Sequence, residues 1–385
     1  MPVRNRFGEL HDEITGWRHD FHAHPELQFD VHRTAGKVAD LLRAFGCDEV
    51  VEGIAETGVV GIIKGKGDRG RCIGLRADMD ALPILEATDL PYASTEPGKM
   101  HACGHDGHTS MLLGAAKYLA ETRNFTGSVA VIFQPAEEGG GGGRVMCEEG
   151  MMSRFGIDEV YGMHNWPSMP VGEFAIKPGP FFAGTAEFTI TVEGRGGHAA
   201  KPHLAIDPTV AAAQIVVALQ TIASRTVNPV EQIVVSVTSF VTASTAYNVI
   251  PPSVELRGTV RTLKDEVRDA AEVRFAEVVA HTAQAHGCTA ELEYTRNYPV
   301  MANSETETDY AIAAAEKVSG GCNTAPFIMG GEDFSYMLNE RPGAYILLGN
   351  GDGPDVHTPD YNFNDAAIPF GCSWFVEVVE SRLAG

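Results

Sequence analysis

The chain has 385 residues, too many for one small core, so its length predicts two domains. A net charge of -22 argues against binding to nucleic acid or to a membrane surface, because both require clustered lysine and arginine. No apolar run is long enough to span a bilayer, and the first residues lack the apolar core of a signal peptide. The seven cysteines are scattered and odd in number, so we expect a cytoplasmic protein without a disulfide framework.

Apolar periodicity predicts an α/β protein. The predicted helices are 8–46 (interrupted at 22–27), 109–121, 208–224, 265–286, 305–318 and one after His357. The predicted strands are 59–64, 72–77, 128–133, 160–164, 186–192, 232–240, 254–262, 288–294 and 344–348. Within 186–294 the order is β-α-β-β-α-β, the split ferredoxin-like pattern. We therefore predict a mixed-sheet main domain with helices on both faces, made of 1–180 and 295–385, and an inserted α+β ferredoxin-like domain at 181–294.

The stretch 100–108 combines a thiol, three imidazoles and a carboxylate. Cys103 and His105 are two residues apart, and each is a common zinc ligand. Taken alone, the stretch favours a polar loop before the helix at 109–121, with Asp106 or Thr109 as its cap. Four other polar segments of the chain favour a metal site.

Four such segments follow or end predicted strands. They are Asp78 with Asp80, Glu137 with Glu138, His164, and His357. Ligands usually bind at strand ends in α/β sheets, and Asp80 is the better candidate to orient a metal-bound histidine. Asp78 also fits ordinary loop polarity, and a lone histidine such as His164 is more often a core residue. We interpret His22 and His24 as surface residues or as supports for a ligand.

The run 139–143 is all glycine. It lacks the Gly-Lys-Ser/Thr ending of a phosphate loop, so we predict a flexible loop under an active site instead.

Cys103, His105, Glu137 or Glu138, His164 and His357 supply five potential ligands. One zinc ion needs three or four, so the surplus favours two divalent ions about 3.5–4 Å apart, which would lower the pKa of a shared water. A glutamate that is not a ligand could take the water's proton and pass it to a leaving nitrogen. Zinc, manganese, cobalt and nickel all suit these N, O and S ligands, so the native metal stays open.

Segments over nearly the whole chain match the motifs of one family in order. They are HAHPEL (22–27), RADMDALP (76–83), MHACGHDGH (100–108), QPAEEGGGG (134–142), GMHNWP (162–167), GRGGHAAKPH (194–203), NVIPPSVELRGTVR (248–261), GGEDFSYM (330–337) and HTPDYNFND (357–365). The chain thereby resembles the aminoacylase and carboxypeptidase superfamily of dinuclear metallohydrolases. Within it, the chain is similar to hippurate hydrolases, N-acyl-amino-acid amidohydrolases and plant auxin-conjugate hydrolases. The resemblance implies hydrolysis of the amide bond of N-acyl-L-amino acids, which releases a carboxylic acid and a free amino acid.

The resemblance also assigns roles. The metal ligands would be Cys103, His105, Glu138, His164 and His357. Glu137 would be the base and Asp80 the supporting carboxylate, while Asp78 stands where related peptidases carry a metal-binding histidine. Asn362 departs from the aspartate expected in the closing motif.

The inserted domain would be a lid and dimerisation domain. There the resemblance implies that His198 polarises the scissile carbonyl in the partner protomer's site, and that Asn248 and Arg261 hold the substrate carboxylate. Gly330 and Gly331 would line the substrate site with backbone groups. The expected assembly is a homodimer, with a dimer of dimers as the alternative.

Two other functions compete with this one. A dipeptidase or aminopeptidase of the same superfamily is disfavoured by the site around Cys103 and by the HNWP segment. A catalytically silent metal-binding or assembly protein would be expected to lack the base or a ligand, and Glu137 and all five ligand candidates are present.

Overall fold

The computed structural model describes residues 5–67 and 70–385. The chain forms two compact units. The first comprises the described residues of Met1–Gly179, Ala302–Pro326 and Asp333–Gly385, and the second comprises Pro180–Met301 and Phe327–Glu332. The second unit thus takes in 295–301 and 327–332, which the expected boundaries assign to the main domain. Among the described residues, none of the helices combines the length and the apolar character that a membrane crossing needs.

The elements alternate between strands and helices along the chain. The strands are β1 (Glu49–Ile54), β2 (Gly58–Lys64), β3 (Cys72–Asp78), β4 (Ser128–Gln134), β5 (Glu159–Pro167), β6 (Phe174–Ile176), β7 (Gly179–Phe182), β8 (Gly184–Glu193), β9 (Gly197–His198), β10 (Ile233–Thr242), β11 (Val249–Ile250), β12 (Ser253–Thr262), β13 (Thr289–Arg296), β14 (Met301–Asn303), β15 (Asn323–Thr324) and β16 (Gly343–Gly351). The helices are α1 (Asn5–Glu9), α2 (His11–Ala23), α3 (His32–Phe45), α4 (His105–Thr122), α5 (Gly142–Glu148), α6 (Met151–Arg154), α7 (Pro208–Thr221), α8 (Asp265–Ala285), α9 (Glu305–Ser319), α10 (Phe334–Glu340) and α11 (Ile368–Arg382).

In the described part of the chain, the first unit is built on an eight-stranded mixed sheet of order β1-β2-β4-β3-β5-β16-β6-β15. Its central strands β4, β3, β5 and β16 are parallel. Every residue of β3 is buried, because helices cover both sides of the sheet. The carboxyl ends of these parallel strands meet at one edge, which is where α/β sheets bind ligands.

The two faces of this sheet carry different helices. Ile73 and Leu75 of β3 share a core with α2, α3, α4 and α11. On the opposite face, Phe334 of α10 packs against Tyr345 of β16, with ring centroids 5.1 Å apart. The predicted mixed sheet with helices on both faces is confirmed.

The second unit contains a four-stranded antiparallel sheet of order β10-β12-β8-β13. Alternate residues of β8, such as Phe188 and Ile190, point into a core completed by Ile215 of α7 and Phe275 of α8. The order of its elements is the predicted β-α-β-β-α-β. The short strands β9 and β11 form a separate antiparallel pair.

Candidate metal centre

The cysteine- and histidine-rich stretch makes a tight turn into α4. The turn is made by Gly104, whose φ is 92°, and His105 is the first residue of the helix. A Cβ at Gly104 would lie 2.4 Å from the amide nitrogen of Asn165, so a glycine is needed there. The expected cap at Asp106 or Thr109 is wrong, because both residues lie inside α4 and are buried.

The five side chains predicted as ligands lie together at the carboxyl edge of the sheet. Within each of two groups, the ligand atoms lie within 4.8 Å of one another: Cys103, His105 and His164, and Cys103, Glu138 and His357. Cys103 Sγ lies 3.4 Å from His164 Nε2, and His357 Nε2 lies 3.2 Å from Glu138 Oε1. Cys103 therefore belongs to both groups.

The imidazoles present the correct nitrogen for metal binding. His105 Nδ1 donates to the backbone oxygen of Asp80 at 2.8 Å, and its buried Nε2 has no hydrogen-bond partner among the described residues. His164 Nδ1 donates to the backbone oxygen of Asn165 at 2.6 Å, which leaves Nε2 as a lone pair near Cys103. A metal-ligating histidine commonly donates its other N–H in this way. The orphaned Nε2 of His105 thus fits a metal ion.

The electrostatics of the cluster also fit a cation. Burial lowers the pKa of His105, but the carboxylates of Asp78 and Asp80 outweigh it and raise this pKa to about 10. Burial lowers the pKa of His164 to about 3. Burial and nearby carboxylates raise the pKa of the Cys103 thiol well above its usual range. In the metal-free chain His105 carries a positive charge and Cys103 is a neutral thiol, whereas a metal ion binds neutral imidazole and thiolate, so metal binding should release protons.

Asp80 connects the histidine to the glutamate pair. Its carboxylate accepts hydrogen bonds from the backbone N–H of Glu137 (3.0 Å) and of Glu138 (3.1 Å). Its backbone oxygen accepts the hydrogen bond from His105, while the nearer carboxylate oxygen is 3.4 Å from the same ring nitrogen. Asp80 therefore lies beside the predicted ligand, but its carboxylate mainly fixes the two glutamates.

Asp78 is fully buried at the end of β3, so its interpretation as ordinary loop polarity is wrong. It accepts hydrogen bonds from His108 Nδ1 and from Arg76 Nη1, both at 2.7 Å. His108 Nε2 in turn accepts from the backbone N–H of Asn165 at 2.9 Å. Both ring nitrogens of His108 are therefore hydrogen-bonded within the protein, so we do not count this histidine among the metal ligands.

His22 and His24 differ in their surroundings. His22 is fully buried and donates from Nδ1 to Asp106 Oδ2 at 2.9 Å, so it is not a surface residue. Glu86, 3.2 Å from its Nε2, helps to raise the pKa of His22 to about 9 against the effect of burial. His24 is partly exposed, and its Nδ1 donates to the backbone oxygen of Asp20 at 2.8 Å.

The glycine run is predicted as a loop, but its last two residues belong to a helix. Gly142 and Gly143 are buried and begin α5. Gly143 N donates to Asp333 Oδ2 at 2.8 Å, which ties the run to a buried carboxylate.

Asn165 was missed by the sequence analysis. Its side-chain amide donates to the backbone oxygen of Cys103 at 2.7 Å, and its Oδ1 accepts from Tyr361 Oη at 2.7 Å. Its position directly after His164 in the HNWP segment was the available signal. Arg18, which is buried in α2, was also missed.

The other predicted site residues belong to the second unit. His198 in β9 pairs with Val249 in β11, and the backbone oxygen of Asn248 accepts from Ala199 N at 2.9 Å, so His198 and Asn248 are neighbours. Both side chains are exposed. Arg261 lies on β12.

The two predicted glycines lie in this unit's second segment of chain, Phe327–Glu332. The backbone oxygen of Gly330 accepts a hydrogen bond from Ala183 N at 3.0 Å. Gly331 is packed closely against Thr185.

A largely buried cluster of cysteine, histidine and glutamate side chains at the carboxyl edge of a mixed sheet, with a second glutamate beside it, is typical of a metal-dependent hydrolase. The pattern of Peptidase family M20/M25/M40 matches residues 74–381, and the chain belongs to that family. It is 41% identical over 374 residues to the hippurate hydrolase of Campylobacter jejuni, with 96% of each chain covered. It is 38% identical over 370 residues to the N-acetylcysteine deacetylase of Bacillus subtilis, again with 96% of each covered.

Solved structures agree with this assignment. A dinuclear metal-binding peptidase of family M20 from Bacillus subtilis matches with a TM-score of 0.86 and 35% identity, over 98% of this chain and 99% of that one. The family resemblance, the fold class and the prediction of an amide-cleaving hydrolase with a metal cofactor are confirmed.

Proposed function

We propose that this protein hydrolyses the amide bond of N-acyl-L-amino acids of the hippurate or N-acetyl type. The products would be a carboxylic acid and a free amino acid. The observation that carries the proposal is the group His105, Glu137 and Glu138, whose ligand atoms lie within 4.8 Å of one another. It offers one carboxylate for a metal and an adjacent one for proton transfer. The hippurate hydrolase and N-acetylcysteine deacetylase relatives support the substrate class.

Two divalent metal ions per subunit would be held by Cys103, His105, Glu138, His164 and His357. The two ligand groups that share Cys103 support two ions rather than one, because the set exceeds the needs of a single ion. When bound, the ions would lower the pKa of water and polarise the amide carbonyl. Zinc, manganese, cobalt and nickel all suit the ligand set.

Glu137 would be the general base. Its side chain is almost entirely buried, and the bond from its backbone N–H to Asp80 fixes its position beside Glu138. A carboxylate held there can accept a proton from water and return it to the leaving nitrogen. Asp80 would be a positioning residue for both glutamates.

Arg261 and Asn248 would hold the substrate carboxylate. Arg261 is half-buried, and burial lowers its pKa. Among the described residues, the hydrogen bonds of its guanidinium go to Thr259, to the backbone oxygen of Val260 and to that of Ala186, and none to a carboxylate. The charge of Glu187 acts on Arg261 without a hydrogen bond, so the guanidinium can still bind a substrate carboxylate through two parallel hydrogen bonds. Backbone groups of Gly330 and Gly331 would complete the substrate site.

His198 would polarise the scissile carbonyl in the partner protomer. Its Nδ1 accepts a hydrogen bond from Ala200 N at 3.1 Å, so in the neutral ring the proton lies on Nε2, which can donate. An exposed histidine beside an exposed Asn248 suits a site completed by a second chain.

A homodimer through the second unit would bring His198 to that site, with a dimer of dimers as the larger alternative. Large apolar side chains are exposed on this unit, including Val210 and Val217 of α7 and Phe240 and Val241 of β10. β10 is an edge of its sheet, and exposed apolar edges commonly pair with another chain.

All seven cysteines are free, which suits the reducing cytoplasm. We therefore place the enzyme there.

The test compares purified protein, loaded in turn with each candidate metal, on hippurate, N-acetyl amino acids and free dipeptides. We expect turnover of the N-acyl amino acids and little of the dipeptides. A peptidase activity is the second candidate, because the solved Bacillus relative is described as a peptidase. Preferential cleavage of dipeptides would replace the proposed function with that one.

A further inference from the structure

Arg18 is a fully buried arginine in α2, and its guanidinium contacts two separate parts of the chain. Its Nη1 lies 3.1 Å from Asp106 Oδ2, and neither side chain is exposed. Its Nε lies 2.5 Å from Asp365 Oδ1, and Nη2 donates to Asp365 Oδ2 at 3.4 Å. Nη1 also donates to Asn362 Oδ1 at 3.4 Å, and the guanidinium carbon is 4.6 Å from the ring centre of Tyr92.

These partners belong to segments that carry different ligand candidates. Asp106 directly follows His105 at the start of α4, whereas Asn362 and Asp365 lie in the segment that His357 begins. His105 and His357 fall in different ligand groups of the cluster. Arg18 therefore connects the segment that carries His105 to the segment that carries His357. Closer to the cluster, a backbone hydrogen bond from His357 to Ala102 (2.7 Å) joins the same segments.

We infer that Arg18 is a positioning residue that holds these two segments in register, so that the metal site is formed before an ion binds. The inference rests on the metal-binding role of His105 and His357 in the proposed function. A buried charge is stable only if it is well paired, and Arg18 is paired on two sides. Its planar fork can engage two carboxylates at once, which a lysine ammonium on a flexible stem does poorly.

Loss of the cross-link should weaken metal binding more than it weakens the fold. Asp106 would keep His22 as a partner, and Asp365 would keep His19, whose Nε2 is 2.9 Å from Asp365 Oδ2. The two segments would then be joined by the backbone hydrogen bond from His357 to Ala102, by Asn165, which bridges Cys103 and Tyr361, and by the packing of Phe363 on Gly107, but no longer by a charged cross-link. An ion would have to order them on binding, which lowers its affinity.

The test uses full-length, chelator-stripped protein with Arg18→Lys, Arg18→Met and Asp365→Asn. Zinc affinity is measured by competition with a chromophoric chelator, metal per chain by elemental analysis, and the fold by urea unfolding of the metal-free protein. Arg382→Met is the matched control, because Arg382 pairs with the buried Glu159 (3.2 Å) at the start of β5, at the other end of that strand from His164.

Both Arg18 variants should bind zinc about 10- to 100-fold more weakly than the wild type, the range seen when a residue that supports a ligand is lost. Asp365→Asn should lower the metal content of the chain, and Arg382→Met should change only the unfolding midpoint. If Arg18→Met fails to fold, Arg18→Lys and Asp365→Asn still decide. A folded Arg18→Lys protein with wild-type zinc affinity would overturn the inference. Zinc affinity is read without substrate, so a wild type inactive on N-acyl amino acids would overturn the proposed function and leave this inference standing.

Discussion

The carboxylate of Asp80 accepts a hydrogen bond from the backbone N–H of Glu137 at 3.0 Å. The second oxygen of the same carboxylate accepts from Glu138 at 3.1 Å, so one buried side chain sets the position of both glutamates. Two adjacent carboxylates in different roles must point in different directions. Asp80 fixes these directions, because its carboxylate holds the backbone of the turn that carries both glutamates.

Asp80→Asn should impair both metal binding and turnover. The amide keeps one acceptor oxygen and places a donor where the other oxygen was, so one backbone N–H of the pair loses its partner. We expect metal affinity to fall about 10- to 100-fold, since the carboxylate of Asp80 holds the backbone of Glu138 and lies 3.4 Å from His105 Nδ1. Chelator competition and steady-state kinetics check this, with Asp89→Asn in an irregular segment as the control. Wild-type values for both quantities in Asp80→Asn would remove the positioning role.

Glu137→Gln and Glu138→Gln should have different effects, although they are neighbours. The first should keep metal and substrate binding and lose turnover by about a hundredfold or more, because its proposed role is proton transfer. The second should lose metal. Metal per chain and kcat, measured on the same preparations, separate the two. If the two phenotypes were reversed, the base and ligand assignments would have to be exchanged.

Arg261→Ala should mainly impair substrates with a free α-carboxylate. The comparison is an N-acyl amino acid against its amide, because only the former can accept the two parallel hydrogen bonds of a guanidinium. Arg257→Ala is the control, since Arg257 is exposed on the same strand and pairs with Glu255 at 2.8 Å. Equal losses of kcat/KM on both substrates would mean that Arg261 stabilises β12 and does not bind the substrate carboxylate.

His198→Ala should lower turnover by roughly a hundredfold to a thousandfold, the value of a hydrogen-bond donor to developing negative charge. Folding and metal content should not change, because the side chain is exposed. His203→Ala, another exposed histidine nearby in the sequence, should be close to wild type.

Mixing His198→Ala with Glu137→Gln protomers tests whether the histidine acts across a dimer. Each hybrid dimer would contain one site with both groups intact, so some activity should return. Subunit exchange without recovered activity would reject action in trans. A fully active His198→Ala enzyme would reject the role itself.

The sequence predicted the ligand cluster because Cys103 and His105 have the spacing of metal ligands and because the glutamate pair, His164 and His357 follow or end strands. Strands β3, β4 and β5 are parallel neighbours, so polar residues at their ends had to meet at one edge. The sequence did not reveal that α4 begins directly after Gly104. The need for glycine there comes from the close packing of Asn165, a contact between distant parts of the chain. Arg18 was missed for the same reason. Its partners Asp106 and Asp365 are 88 and 347 residues away along the chain. An arginine in an amphipathic helix such as α2 is normally expected to face solvent.

The proposed hydrolysis depends on a bound metal, and removal of the metal tests this dependence most directly. The ligand candidates extend from Cys103 to His357, so a bound ion should also stabilise the fold. The measurement is hippurate hydrolysis by chelator-stripped protein, with metal content read by elemental analysis, before and after each candidate ion is returned. We expect no turnover without metal, recovery on return of a suitable ion, and a rise in the unfolding midpoint with it. Full turnover by protein shown to contain no metal would contradict the account.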